Sequence, residues 1–249
     1  MRAMNRALDQ IHSRRALLIG GGALLVALLI GGNTVAHAGS KWETITRKSG
    51  IRVLQKEREG SEIPIVKGVG IVKGNVVDVL AVIDDVPGRT KWAHDCTDSR
   101  ELEKTSPYER VLYHRSAVTW PVSDRDAVVR VKVDANFEAK RVKVTYRTAR
   151  RYPFPKVSGV VRMPKLDGYF VIQAVGEDRT RVTYVVDADP GGMIPDWLIS
   201  MTAKDVPLKT LKNLRKRVRQ TKASGKYKKF VDYWHPYFYP PKEDGKTSS

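Results

Sequence analysis

Three stretches of two-residue alternation between Ala127 and Val186 constrain this chain most. Ala127, Val129, Val131 and Val133 alternate with Val128, Arg130, Lys132 and Asp134. Val142, Val144 and Tyr146 alternate with Arg141, Lys143, Thr145 and Arg147. Val182, Tyr184 and Val186 alternate with Arg181, Thr183 and Val185. Successive side chains of a strand point to opposite faces, so such segments bury one face and wet the other. That pattern fits an antiparallel sheet. No strand-helix-strand alternation accompanies it, which argues against a doubly wound fold.

Other segments fill in the plan. Ile51–Lys56 and Ile65–Val72 read as strands, and Lys41–Lys48 reads as a short helix around Trp42 and Ile45, ended by Gly50. Asn75 is placed to cap a helix with apolar positions Val76, Val79, Leu80, Val82 and Ile83, broken by Pro87-Gly88. Beyond Pro195 the period becomes helical, through Ile194, Trp197, Leu198, Met201, Leu208, Leu211, Leu214 and Val218. Pro207 interrupts that run and predicts a kinked or split helix. A sheet followed by one amphipathic helix can enclose an apolar cavity suited to lipids or polycyclics. It can equally pack as a solid core, and periodicity alone leaves both open.

The N-terminus stands apart. Arg2, Arg6, Arg14 and Arg15 precede a run of apolar residues and glycines from Ala16 to Gly32, and Ala36-His37-Ala38 offers an A-x-A cleavage site. Residues 1–38 therefore read as a signal peptide or an N-terminal membrane anchor. Either way the positive flank stays inside and the domain is exported, periplasmic or secreted. Ser13-Arg14-Arg15-Ala16-Leu17-Leu18 also resembles a twin-arginine signal, although paired arginines are common in such regions. The chain carries a net charge of +18. The first 38 residues hold only four Arg and one Asp, so the basic character belongs to the domain.

That charge points to an anionic partner. Ten cations and no acid lie between Lys209 and Lys229, and seven aromatic residues crowd between Tyr227 and Tyr239. Cations beside Trp and Tyr suit an anionic membrane surface. Export argues against nucleic acid. The alternative is a solvated helix face whose aromatic tail packs back on the domain. Cys96 is the single cysteine, so neither an internal disulfide nor a cysteine-based zinc site can form. Gly68-x-Gly70-x-x-x-Gly74 misses the dinucleotide spacing, and glycines of a bent strand explain it better. His94-Asp95-Cys96 alternates faces if extended, and Asp124-Arg125-Asp126 reads as a structural ion pair at a strand entrance rather than an acid/base pair. No catalytic residue, cofactor or metal site is expected.

Ordered segments of this chain resemble the START domain, the lipid-transfer module related to steroidogenic acute regulatory protein. They are Gly50-Ile51-Arg52-Val53, Val66-Lys67-Gly68-Val69-Gly70, Trp92, Pro121-Val122-Ser123-Asp124-Arg125-Asp126, Val161-Arg162-Met163-Pro164, Gly168-Tyr169 and Asp189-Pro190-Gly191-Gly192-Met193-Ile194-Pro195-Asp196-Trp197-Leu198. The resemblance runs from about Trp42 to Arg219. It implies an α+β helix-grip fold, a curved antiparallel sheet around a hydrophobic tunnel closed by a long C-terminal helix, with no catalytic residues. Some sterol-binding members carry a buried Arg six residues after the arginine of the Arg-Asp signature. Val131 stands there, so a sterol is not implied.

The expected domains are the START-like domain at 39–221 and a basic, aromatic tail at 222–249. Expected ligand contacts are Val129, Val131, Val144, Tyr146, Val182, Tyr184 and Val186 of the sheet, with Met193, Trp197 and Met201 of the lid. Pro207 would be its hinge, and Arg215, Lys216, Arg217 and Arg219 would touch the membrane. The expected function is an exported monomeric carrier of a lipid or other small hydrophobic ligand. The alternative is an aromatase/cyclase-like enzyme of the same architecture acting on a polyketide-type substrate.

Overall fold

The structure is a computed structural model that describes residues 41–241. The expected signal or anchor at 1–38 and the last residues of the expected tail, 242–249, lie outside the described residues. The elements are β1 (Glu43–Lys48), β2 (Ile51–Arg58), β3 (Ser61–Lys73), α1 (Val76–Asp84), a 3-10 turn (Pro87–Lys91), β4 (Cys96–Ser106), β5 (Glu109–Ser116) and β6 (Asp124–Asn136). They continue with β7 (Arg141–Thr148), β8 (Val160–Arg162), β9 (Lys165–Gly176), β10 (Arg179–Asp189), α2 (Asp196–Ser224) and α3 (Lys228–Phe238). One curved open sheet runs in the order β1-β2-β3-β10-β9-β7-β6-β5-β4, with antiparallel neighbours throughout. The short β8 pairs in parallel with the start of β6.

The segment expected as a helix at Lys41–Lys48 is a strand. Thr44, Ile45 and Thr46 are all β-branched and stiff at the first side-chain torsion, which favours a strand. Ser49 and Gly50 both take positive φ, 53° and 64°, and this two-residue turn folds β1 onto β2 from Lys48↔Ile51 to Glu43↔Gln55. The Asn75 cap forms as a reciprocal box. Asp78 N donates to Asn75 Oδ1 at 2.9 Å, and Asn75 N donates to Asp78 Oδ2 at 3.0 Å. Val76, Val77, Val79, Val82 and Ile83 of this helix are all buried. They fill one end of the sheet's concave face.

The helix α2 lies across the other end. Its Leu208, Leu211, Leu214 and Val218 are buried against the sheet. Close approach is possible because β3 has glycine under the helix. A Cβ at Gly68 would sit 2.9 Å from Leu211 Cδ1 and 3.0 Å from Pro207 Cβ. These glycines make room for a helix, as a bent strand would. Of the two expected outcomes at Pro207, the split is absent: α2 runs unbroken from Asp196 to Ser224. The proline forgoes one backbone hydrogen bond, but its buried ring packs on Gly68 and holds the segment helical.

Past Gly225, which closes α2 at φ 65°, the aromatic segment returns to the domain as α3. Phe238 is buried, with its ring 4.8 Å from that of Phe137 in the β6–β7 turn. We expect Gly68→Val to push α2 off β3 and to lower stability by about 1–3 kcal/mol, because Pro207 and Leu211 have no free space to retreat into. Urea unfolding monitored by circular dichroism checks this, and an unchanged midpoint would contradict the close packing.

Candidate functional site: a cavity between sheet and helix

Where α1 stops, the concave face is hollow. A cavity of about 440 Å³ lies between the sheet and the first half of α2. Volumes of ~300–1,000 Å³ are usual for small-molecule sites. Of the expected contacts, Val129, Val131, Tyr146, Tyr184, Val186 and Met201 line it. Val144 and Val182 do not. They share the inner face, but at the depth where α1 fills it, and they pack in the core with its valines. Met193 and Trp197 stand out in solvent, while Ile194 and Leu198 take the inward positions of the same segment. The periodicity identifies a face of the strand; it does not say how far along the strand the void extends.

Several lining residues escaped the sequence reading. Phe170 stacks on Tyr184 at 4.3 Å, and Trp92 meets Phe170 edge-on at 6.1 Å. Tyr146 donates its hydroxyl to the Val185 carbonyl at 2.8 Å, which satisfies a buried polar atom. Burial raises the hydroxyl pKa of Tyr146 well above its ordinary value and raises that of Tyr184 as well.

One region of the lining is polar. Arg89, from the 3-10 turn, lines the cavity with Trp92 and Ser99. Arg89 Nε, Trp92 Nε1 and Ser99 Oγ are buried and make no hydrogen bond. Arg89 forms no ion pair with an acid among the described residues. Buried polar groups are rarely left in this state. In the sequence this arginine followed a helix-breaking Pro-Gly and carried no other mark.

His114 lines the same region. Its Nε2 lies 2.8 Å from Ser116 Oγ, and its Nδ1 lies 3.5 Å from Cys96 Sγ. Burial, helped by the positive charge of Arg89, pushes the imidazole down to about 3. Burial raises the Cys96 thiol to about 11, so it is no activated nucleophile. The adjacent His94-Asp95-Cys96 triple does not converge. Asp95 turns at φ 55° and pairs with His94 at 3.1 Å, while Cys96 faces His114.

The Asp124-Arg125-Asp126 signature divides its roles. Asp126, nearly fully buried, holds Arg162 through two contacts of 2.6 and 3.1 Å. Asp124 pairs with Arg115 at 2.7 Å. Arg125 meets no carboxylate among the described residues; it donates to the carbonyls of Pro190 at 3.3 Å, Gly191 at 3.1 Å and Ser123.

The basic C-terminal stretch is partly occupied by the fold. Lys209 pairs with Asp205, Lys222 with Asp78 and Asp178, Lys226 with Asp85 and Lys228 with Asp232. Arg215, expected at a membrane, instead donates to the carbonyls of Ile71 at 2.7 Å, Gly50 at 2.9 Å and Ser49. Its charge is spent inside the fold because the helix crosses directly over that hairpin. Arg217 is half-buried, and Lys216 and Arg219 are exposed.

The buried His114 generates a pH dependence. Its folded pKa lies below the ordinary 6.5, so below that pH the unfolded chain takes up a proton that the folded chain refuses. Stability should therefore be fully present above about 6.5 and fall toward 3, by about 1 kcal/mol per pH unit from this group. His114→Gln should flatten that part of the profile in urea titrations run from pH 7 to pH 4.

Comparison with known proteins agrees with this geometry. The chain is 32% identical over 186 residues to an uncharacterized protein of Pseudomonas aeruginosa, covering 75% of this chain and 89% of that protein. It is 30% identical over 190 residues to the phosphatidylcholine transfer protein of Bos taurus, covering 75% and 88%. A solved STAR-related lipid transfer protein from Xanthomonas axonopodis superposes with a TM-score of 0.65 at 31% identity, covering 72% of this chain and 98% of that one. The family model of the START domain matches residues 33–224. With a curved sheet gripping one long helix around an apolar cavity, the chain belongs to the START domain family.

Proposed function

We propose that this protein binds and carries a lipid whose head group presents an anionic oxygen to Arg89. The observation that carries the proposal is the set of orphaned donors, Arg89 Nε, Trp92 Nε1 and Ser99 Oγ, on an otherwise largely apolar cavity. A phosphate or carboxylate oxygen accepts from such donors, and a charge-assisted hydrogen bond is stronger than a neutral one. The acyl part lies among Val129, Val131, Phe170 and Val186. Similarity to a phosphatidylcholine transfer protein supports the same ligand class.

An enzyme of the cyclase type is less well supported. General acid–base catalysis works best with a group poised near the working pH. His114 at about 3 is too weak a base, and the hydroxyls of Tyr146 and Tyr184 are shifted upward.

The carrier works outside the cytoplasm, exported or held by residues 1–38, against an anionic membrane surface. The N-terminal charge pattern and the exposed Lys216 and Arg219 support this. It acts as a monomer. The sheet's edge strands carry Glu43, Arg47 and Lys48 on β1, and Arg100, Glu101, Glu103 and Lys104 on β4, which discourage edge-to-edge pairing.

Two experiments follow. The full chain, purified and analysed by native mass spectrometry, should carry a lipid. Arg89→Met should lower uptake of an acidic phospholipid on the order of tenfold or more while sparing a lipid with no phosphate or carboxylate, such as a diacylglycerol, and Val131→Trp should block both. Uptake of the acidic lipid by Arg89→Met that matches wild type would remove the arginine from the site, and a wild-type cavity that takes up nothing would overturn the carrier. A reporter fused after Ser249 should be active only outside the cytoplasm; cytoplasmic activity would refute export.

A further inference from the structure

The sheet carries a second, smaller core on its convex side. Leu112, Ala127 and Val129 face the helices, while the alternate residues Val111, Tyr113 and Val128 are buried on the opposite face. They are covered by the segment that follows β7, through Ala149, Tyr152, Phe154 and Val157.

That segment is braced. Ala149 N donates to the Val128 carbonyl at 2.8 Å, and Tyr152 N turns back to the Ala149 carbonyl at 3.0 Å. The Phe154 ring lies 4.8 Å from that of Tyr113, with the guanidinium groups of Arg100 and Arg162 at 5.9 and 5.6 Å from its centre. Arg162 also donates to the carbonyls of Phe154 at 3.4 Å and Pro155 at 3.1 Å. Asp126 holds Arg162 in place, so the Arg-Asp signature secures this loop as well as the strand entrance.

Beside the loop is an open groove. Arg130, Arg150, Arg151, Tyr152 and Pro153 line it, with Glu103 as the one acid in the lining. Arg150 and Arg151 are exposed, and neither forms an ion pair among the described residues. Arg130 shares Glu109 with Lys132, at 3.2 and 3.4 Å. Arg147 stands directly opposite Arg130 on the paired strand and reaches Asp167 only at 3.7 Å. Like charges directly opposite each other across a strand pair are destabilising. A braced loop here adds two more arginines to such a pair. Guanidinium forks match phosphate oxygens bidentately, and an anion among them relieves their repulsion.

We propose that this groove is a second ligand site, separate from the cavity, that binds a phosphate group through Arg130, Arg150 and Arg151. The phosphate is that of a soluble phosphorylated molecule or of a lipid head group, which offer the same anionic oxygens. The site is independent of the carrier function proposed above. It lies on the outer face of β6, whereas Val129 and Val131 of the same strand line the cavity on the inner face.

The test uses the full chain and two probes at low salt. Inorganic pyrophosphate is titrated by calorimetry, and vesicles of phosphatidylcholine with phosphatidic acid are sedimented with the protein. Arg150→Gln with Arg151→Gln should weaken binding on the order of tenfold or more. That loss in the pyrophosphate titration identifies a soluble ligand; the loss confined to vesicles identifies a lipid head group. Arg47 and Arg52 form another exposed cross-strand arginine pair, at the far edge of the sheet. Arg47→Gln with Arg52→Gln removes the same charge there and should change binding by less than about twofold. An equal loss in the two double variants would mean that net charge alone attracts the anion, and would overturn the site. Wild-type protein that binds neither probe would overturn it too.

Two single variants separate the groove from the cavity and from bulk charge. Arg89→Met should bind the probe as wild type does; a loss there would assign the anion to the cavity and overturn the groove. Phe154→Ala keeps every cation of the groove but removes the ring that pins the loop. Shown to be folded by circular dichroism, it should still bind the probe several-fold more weakly, because the guanidinium groups are no longer preorganised. Undiminished binding by Phe154→Ala would overturn a site built by the loop.

Discussion

The fold depends on how closely α2 can approach β3. Gly68 and Gly70 remove two side chains from the strand under the helix, and Pro207, Leu211 and the Arg215 guanidinium occupy the space. Any larger residue would lift the helix and open the sheet's concave face to water. With the helix seated, its buried leucines and the valines of α1 share one core, and the unfilled remainder of that face becomes the cavity. The site is therefore a by-product of where two helices of unequal length cover one sheet.

Polar atoms inside this apolar site fall into two groups. Tyr146 and Arg125 are satisfied by protein partners, and they brace strands and strap. Arg89, Trp92 and Ser99 retain unsatisfied atoms, and leaving such donors dry is costly. A ligand oxygen relieves that cost. Binding energy then comes partly from a penalty the empty protein already carries, which helps a small, greasy site discriminate among lipids by head group.

Much of the architecture was legible in the residues. Alternation located β6, β7 and β10 because each has one wet face, and Asn75 announced α1 because a capping side chain needs that position. Trp42 and Ile45 mimicked a helical spacing in what is the edge strand β1, where pairing with β2 decided the outcome. Pro207 looked like a breaker until Gly68 supplied a seat for its ring. The inner face was legible, but not its depth, so Val144 and Val182 could not be told from Val129 and Val131. Arg89 was invisible for another reason: an arginine after a turn means nothing until its lack of an acidic neighbour is seen.

The ties along α2 are uneven, and that has a mechanical consequence. Its second half is fastened by Arg215 to three carbonyls, by Lys222 to Asp78 and Asp178, and by Leu211, Leu214 and Val218 to the core. Ahead of Pro207 it is buried chiefly through Leu198 and Ala203, and no side chain caps its start. Local opening begins where few buried contacts must break. The helix thus resembles a cantilever clamped at its far end, and the end with the fewest ties is the one lying over the cavity.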